Sequence, residues 1–135
     1  MIAIHDRLTE MIETAGMAHN SLEDAVQFIV RHYCQIADDD WTLFKYHILH
    51  MHHFPRISTS AESSPIGAAA ELLSREMERG TIRHGDPYIL AAMALGVVLQ
   101  TAQAKVFGYI DGPLGARTDL FARKVLAVLD IETED

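Results

Sequence analysis

Residues 86–103 read DPYILAAMALGVVLQTAQ, and this stretch decides the fold. Every residue from Tyr88 to Leu99 is apolar or glycine, without the alternation that marks a half-buried strand. The Asp-Pro at its start combines an N-cap residue with a proline at the first helical position. We therefore predict a helix over roughly Pro87–Tyr109 that is apolar on all sides and is buried from more than one direction.

Similar boundary signals occur on both sides of this helix. Ser64-Pro65 predicts the start of a helix that ends at Gly80, and Ser21 with Asp24 resembles a capping box. Further helices are predicted over Ile2–Ala15 with Gly16 as the stop, from about Asp40 to His53 after the break at Asp38-Asp39-Asp40, and over residues 118–130. Because no period-2 pattern occurs, we predict a single all-α domain over residues 1–135, a bundle of about six helices.

The overall composition excludes several classes of protein. About half of the 135 residues are apolar, enough for a core, and the net charge is −8 with eleven scattered Lys and Arg. No basic stripe is available to neutralise phosphates, so this chain alone is a poor candidate for binding nucleic acid. Cys34 is the single cysteine, which excludes an intrachain disulfide and fits a reducing compartment.

The apolar run is judged too short for a membrane span. Gln100 ends it after Leu99, well before the 20 or so residues that a bilayer requires. The N-terminus reaches His5, Asp6 and Arg7 too early for a signal peptide. We expect a cytoplasmic protein without membrane contact.

The last two helices are predicted to hold a homodimer. Ala92 and Gly96 would allow close helix approach, and both helices have broad apolar surfaces. Helices 87–109 and 118–130 would each bury one face in the subunit and the other in a four-helix bundle with the partner. The alternative is a central helix of a monomeric bundle. The predicted interface residues are Ala92, Gly96, Gln103, Phe121, Val125 and Val128.

Four histidines lie in HILHMHHFP, residues 47–55, but they do not share one helix face. At about 100° per residue, His47 falls on the apolar side, His50 at its edge, and His52 and His53 elsewhere. A buried His47 is either a polar anchor in an apolar pocket or a core histidine with a hydrogen-bond partner. The candidate ligand-binding residues are Tyr33, Trp41, Phe44, His47, Met51, Met93 and Gln100, each with core packing or solvent exposure as the alternative.

Metal binding and catalysis find little support in the sequence. His47 and His50 have an i, i+3 spacing, but no His-Glu-x-x-His motif or carboxylate accompanies them. The Ser-rich segment before Pro65 has no Gly-x-Ser-x-Gly elbow, and Cys34 has no identifiable histidine partner. We therefore predict no catalytic residue, no metal and no cofactor, and a protein that is not an enzyme.

The segment ELLSREMERGTIRHGDPYILAAMALGVVLQTAQ, residues 71–103, resembles the C-terminal half of tetracycline-repressor-type (TetR-family) transcriptional regulators. In that family a helix ends in glycine, an apolar and a basic residue follow, and Asp-Pro opens a long Ala-rich helix. RTDLFARKVLAVLDI is similar to the family's last helix, and SLEDAVQFIVRHY to the first helix of its regulatory domain. The matching positions are Gly80, Ile82, Arg83, Asp86, Pro87, Ala91, Ala92 and Gly96.

The family's N-terminal helix-turn-helix domain has no counterpart in this sequence. Ile2–Ala15 looks like the helix that follows that domain, and Arg7 is the one arginine among the first thirty residues. We expect a fragment of a longer regulator or a stand-alone relative. For this chain the resemblance implies dimerisation and binding of an apolar or amphipathic small-molecule effector, whereas DNA binding belongs to the parent protein. The competing hypotheses are a helical metal protein or enzyme using His47 and His50, and a purely structural dimerisation module.

Overall fold

The computed structural model describes residues 4–19, 21–50 and 64–130. It contains six α-helices and no strand within those ranges, which confirms the predicted all-α fold. A 3₁₀ helix, Leu114–Arg117, precedes the last α-helix. The α-helices are α1 Ile4–Ala18, α2 Leu22–Asp39, α3 Trp41–His50, α4 Pro65–Glu78, α5 Pro87–Val106 and α6 Thr118–Val128.

Three predicted helix starts are confirmed by their caps. Ser21, Ser64 and Asp86 have extended backbones, and each side chain accepts a hydrogen bond from the first turn of its helix. The distances are 3.1 Å from Asp24 N to Ser21 Oγ, 3.0 Å from Gly67 N to Ser64 Oγ, and 2.9 Å from Tyr88 N to Asp86 Oδ1. The helix starts are therefore set by local side-chain chemistry.

The prediction that Gly16 stops α1 is wrong, because α1 continues to Ala18. A Cβ at Gly16 would lie 3.1 Å from Leu72 Cδ1 and 3.0 Å from Arg75 Nη2, both on α4. The glycine thus permits close packing of two helices in place of a turn. Its effect depends on a neighbour that is distant in sequence, so local pattern could not reveal it.

Asp38 was predicted to lie in a connection, but it belongs to the last turn of α2. Its carboxylate accepts hydrogen bonds from Leu114 N and Gly115 N, each at 3.0 Å, which fixes the start of the 3₁₀ helix. A Cβ at Gly115 would collide with Asp38 Oδ2. Asp40 Oδ1 accepts from Leu43 N at 3.1 Å and so begins α3, as expected of an acid at that position. The predicted end of α3 at His53 lies outside the described residues.

One continuous apolar core lies between α1, α2, α4, α5 and α6. Helix α4 packs against α1 and α5, while α6 packs against α2 and α5. The long helix α5 ends at Val106, three residues before the predicted end, and Gly108 follows with a left-handed φ of 85°. Helix α5 touches α3, α4 and α6, while α2 touches α1, α3, α6 and the 3₁₀ helix, so these two helices connect most of the described fold.

Candidate functional site: an apolar cavity and the outer face of α5

The described residues line a partly open apolar cavity of about 80 Å³ between five helices. Among these described residues none is charged, and Tyr33 supplies the one polar side chain. The lining residues are Leu8 and Ile12 of α1; Leu22, Val26, Ile29, Val30 and Tyr33 of α2; Ala69, Leu72 and Leu73 of α4; Ala94, Leu95, Val98 and Leu99 of α5; Val125 of α6; and Leu129.

The cavity exists because α4 and α5 carry small side chains where the two helices approach each other. Ala69 on α4 and Ala94 on α5 both line the cavity, and each leaves room that a larger aliphatic side chain would fill. A cavity holds water only when polar groups can bind it, and an apolar cavity stays dry. The wall therefore suits an apolar guest better than a chain of waters.

Tyr33 is held at the cavity wall by His47. Tyr33 Oη and His47 Nε2 are 2.7 Å apart, and both side chains are buried. The ring of Phe44 packs edge-on against both, with centroid distances of 5.0 and 5.6 Å. His47 therefore supports the wall through Tyr33 and does not itself line the cavity, which corrects the prediction that it contacts a ligand directly.

Burial keeps this pair uncharged. Burial, with a smaller contribution from the nearby His5, lowers the pKa of His47 from 6.5 to about 4. Burial also raises the pKa of Tyr33 well above its usual value, with Cys34 adding to the shift. At neutral pH the 2.7 Å contact is thus a hydrogen bond between two neutral groups. This geometry is that of a core histidine hydrogen-bonded to a buried partner, which is the alternative to a polar anchor that the sequence also allowed for His47.

The other nitrogen of His47 lacks a partner. Nδ1 is buried and has no hydrogen-bond partner within the described part of the chain. Either tautomer leaves one ring position unsatisfied, which adds to the cost of burying the imidazole. The burial of His47 thus costs unfolding free energy, while its Nε2 fixes the position of the Tyr33 hydroxyl.

Two predicted ligand residues instead belong to the packing of α3 against α5. Trp41 stacks on Phe44 with centroids 5.7 Å apart, and Lys105 Nζ lies 4.3 Å from the centroid of the Trp41 ring. Phe44 is fully buried, and neither aromatic residue lines the cavity. The apolar side of α3 faces the core beside the cavity, and a role of Trp41 and Phe44 in ligand binding stays a prediction. Met51 lies outside the described residues.

Met93 and Gln100 lie away from this cavity. Both residues are exposed and neither lines it, so their role in ligand binding stays a prediction. They lie on the side of α5 that points away from it, whereas Ala94, Val98 and Leu99 point inward. An all-round apolar helix gives no periodic signal from which its inward side can be read.

The outward side of α5 carries an apolar stripe that no described residue covers. Ile89, Met93, Gly96, Gln100 and Phe107 follow one another at intervals of three, four or seven residues, so they share one face; we call them the outer stripe. Ile89 and Phe107 are each 59% exposed and Met93 is 52% exposed. Such a spacing is typical of helices that pack against another helix along their length.

The predicted dimer residues divide between this face and the core. Ala92 is exposed, and Gly96, Gln103 and Val128 are partly exposed, so these four are accessible to a partner. Phe121 and Val125 are buried inside the subunit, and Val125 lines the cavity, so the core of the single chain already uses both side chains. The outward residue of that part of α6 is Leu120, which is 41% exposed.

By length and composition alone, α5 could cross a membrane. This corrects the judgement that its apolar run is too short, since the polar residues after Leu99 do not lower the mean hydropathy enough. The same test is met by the mostly buried core helices of soluble proteins, whereas 17% of this window is buried within the described part of the chain. In this fold α5 packs against α3, α4 and α6 and forms one wall of the cavity, which is the role of a bundle helix.

The described residues give little support to a histidine metal site or to a nucleophilic cysteine. Among residues 4–19, 21–50 and 64–130, no group of three or more His, Cys, Asp or Glu side chains is placed to hold a metal ion. His50 Nδ1 lies 2.9 Å from Tyr46 O, and its ring stacks on Tyr46, on the partly exposed side of α3. Burial raises the pKa of the Cys34 thiol to about 12, with Asp38 contributing, so no thiolate nucleophile forms near neutral pH.

Sequence reasoning missed most of the cavity. Of the residues that line it, Tyr33 alone had been singled out as a candidate ligand residue. The run of small residues Gly67–Ala70 in α4 was the available signal, since consecutive alanines in a buried helix allow close approach or leave space. Comparison of the chain with protein-family models, curated proteins and solved structures found no match.

Proposed function

We propose that this chain is the effector-binding and dimerisation domain of a TetR-type transcriptional regulator. The observation that supports the proposal is the apolar cavity between five helices. Ligand sites in helical bundles lie between the helices and are lined mainly by apolar side chains with few polar groups. The resemblance of residues 71–103 to the regulatory half of that family supports the same assignment.

In this proposal apolar contacts supply most of the affinity for the effector. The aliphatic side chains of α2, α4 and α5 surround it, and Tyr33, fixed by His47, presents a rigid aromatic wall. A wall held by a buried hydrogen bond needs no ordering when the ligand enters, which favours binding. His47 is thus a positioning residue.

The second part of the proposal is a homodimer held by the outer stripe of α5. Ile89, Met93 and Phe107 are more than half exposed in the single chain, and Gly96 would let a second helix come close. A second copy of the chain presents the same stripe, so a two-fold axis would pair it with itself. Leu120 of α6 extends the apolar surface toward the partner.

Helix α1 offers a route from the cavity to the rest of a parent regulator. Leu8 and Ile12 line the cavity, and α1 resembles the helix that follows the DNA-binding domain in the family. A ligand that fits better with one position of α1 than with another would shift the population between the two. In a parent dimer that shift would change the spacing of the two DNA-binding heads.

A purely structural dimerisation module is the second candidate. It is favoured by the small size of the cavity, since about 80 Å³ is well below the several hundred Å³ typical of ligand pockets. In that case the cavity is a packing defect, and the outer stripe of α5 is the functional surface. Both candidates predict a dimer, so the oligomeric state does not distinguish them. A measurement of ligand binding does.

A thermal-shift screen with neutral apolar and amphipathic compounds tests effector binding. The proposal predicts compounds that raise Tm in the native chain and lose this effect in Val98→Phe, which fills the cavity. Ile89→Phe on the outer stripe is the matched control and keeps the effect. The absence of any stabilising compound would favour the structural module. A basic helix-turn-helix encoded in frame upstream of Met1 would support the assignment to a regulator.

A further inference from the structure

The cavity restricts the chemistry of its ligand more narrowly than the proposed function requires. Sixteen residues line it, and fifteen of them are Leu, Ile, Val or Ala. The sixteenth, Tyr33, has its hydroxyl engaged at 2.7 Å by His47. A ligand in this space therefore meets hydrocarbon on nearly every side.

We infer that the ligand is a compact, uncharged, hydrocarbon-like molecule no larger than a single aromatic ring. The inference rests on the proposed effector-binding function and names the chemical class of the effector. Carboxylates, amines, phosphates and sugars are excluded from the apolar interior of the cavity.

Charge is excluded by the cost of desolvation. An ion transferred from water to an apolar site loses its hydration, and the described wall offers neither an opposite charge nor a free hydrogen-bond donor to replace it. A ligand with several hydroxyl groups meets the same obstacle, because each hydroxyl would be buried without a partner. A neutral hydrocarbon has no hydrogen bonds to water to lose, and the transfer of its apolar surface out of water is favourable.

Size is limited by the volume of the cavity. An apolar cavity of about 150 Å³ accepts benzene or xenon. The present cavity of about 80 Å³ is smaller, so a xenon atom fits directly and a benzene ring fits after small side-chain movements. Two alanines, Ala69 and Ala94, set this limit, since extending either side chain would occupy the remaining space.

The test uses two compact apolar probes and one charged analogue on the full chain. Xenon and benzene are added to protein labelled with ¹³C at its methyl groups, and benzoate is the charged match for benzene. We expect xenon and benzene to shift the methyl resonances of Leu72 and Val98 and to raise Tm. Benzoate at the same concentration should do neither.

Cavity-filling variants connect this response to the site. Ala94→Leu should abolish the benzene-induced rise in Tm, and the milder Ala69→Val should reduce it by at least half. Ala18→Leu, at the exposed end of α1, is the matched control and should keep the full response. Far-UV circular dichroism checks that each variant is folded, and Ala69→Val keeps the test valid should Ala94→Leu fail to fold.

Each other outcome contradicts the inference. Benzoate binding as tightly as benzene, or a folded Ala94→Leu that keeps the response, would overturn it. If xenon and benzene fail to bind but a larger amphipathic compound from the thermal-shift screen succeeds, the proposed function survives and the ligand class is wrong. If every compound fails, the proposed function and the ligand class fall together.

Discussion

The inward and outward sides of α5 carry similar apolar side chains but meet different surroundings. Inward, Ala94, Val98 and Leu99 line a cavity together with residues of four other helices. Outward, Ile89 and Met93 are more than half exposed among the described residues. The comparison shows that the described part of the chain packs one side of this apolar helix and leaves the other accessible. The other side is where we place the second copy.

A charge on the inward side of α5 should destabilise the fold, whereas a charge on the outward side should prevent dimerisation. The loss of folding is the largest effect that we expect. Val98→Asp puts an unpaired carboxylate against the cavity and should cost about 3–5 kcal/mol of unfolding free energy, enough to unfold a marginal domain. Met93→Asp, on the exposed side, should keep the far-UV helical signal and shift the dimer to monomer. Circular dichroism with sedimentation velocity measures both. A folded Val98→Asp would show that the inward side is not buried as described.

The burial of His47 behind the cavity wall should make the stability of the fold depend on pH. The folded state lowers the pKa of His47 from 6.5 to about 4, so between these values the unfolded chain binds the proton more strongly. The free energy of unfolding should therefore fall by up to about 3 kcal/mol as the pH drops from 6.5 to 4. Urea titrations at several pH values should show a smaller slope for His47→Gln than for the native chain. The exposed His84→Gln should match the native slope, and equal slopes in all three proteins would contradict the account.

Removing the Tyr33 hydroxyl should have a somewhat smaller effect on the same side. Tyr33→Phe leaves His47 Nε2 buried without its partner and should cost about 1–3 kcal/mol. Tyr46→Phe, on the exposed side of α3, is the control and should change the unfolding free energy by less than about 0.5 kcal/mol. Tyr33→Phe should also keep the response to benzene, since that ligand does not use the hydroxyl. Equal stability of the two variants would show that the buried hydrogen bond contributes little.

The smallest expected effect concerns Gly96 on the outward side. A Cβ at Gly96 meets no atom within 4 Å in the single chain, so a larger residue there does not disturb the subunit. In a close dimer, Gly96→Leu should weaken association about tenfold, which corresponds to about 1.4 kcal/mol. For an isolated chain the same change should only raise stability, by up to about 1 kcal/mol, because glycine is a poor helix former. Sedimentation equilibrium distinguishes the two, and Ala18→Leu is the control.

Helix boundaries were predictable where local chemistry sets them. Ser21, Ser64 and Asp86 cap their helices through bonds to residues two or three positions away, so their roles are visible in sequence. Gly16 and Asp38 were misjudged because their partners, Leu72 and the start of the 3₁₀ helix, are more than fifty residues away. Long-range contacts of this kind have no local signature.

The candidate site was less predictable for a similar reason. Tyr33 and His47 were both singled out, but their hydrogen bond joins two helices whose relative rotation is not encoded in either helix alone. On α6, Phe121 and Val125 were assigned to the partner, while the subunit uses them for its own core. When most residues of a helix are apolar, the hydrophobic pattern predicts that the helix is buried but not which side chains point inward.

The central claim, that α5 buries one face in the subunit and the other against a second copy, is tested most directly by sedimentation velocity of the native chain at micromolar concentration. The account predicts one species of twice the 15.1 kDa chain mass, converted to a 15.1 kDa species by Met93→Asp. A native chain that sediments as a monomer, with the outer stripe exposed to solvent, would contradict it.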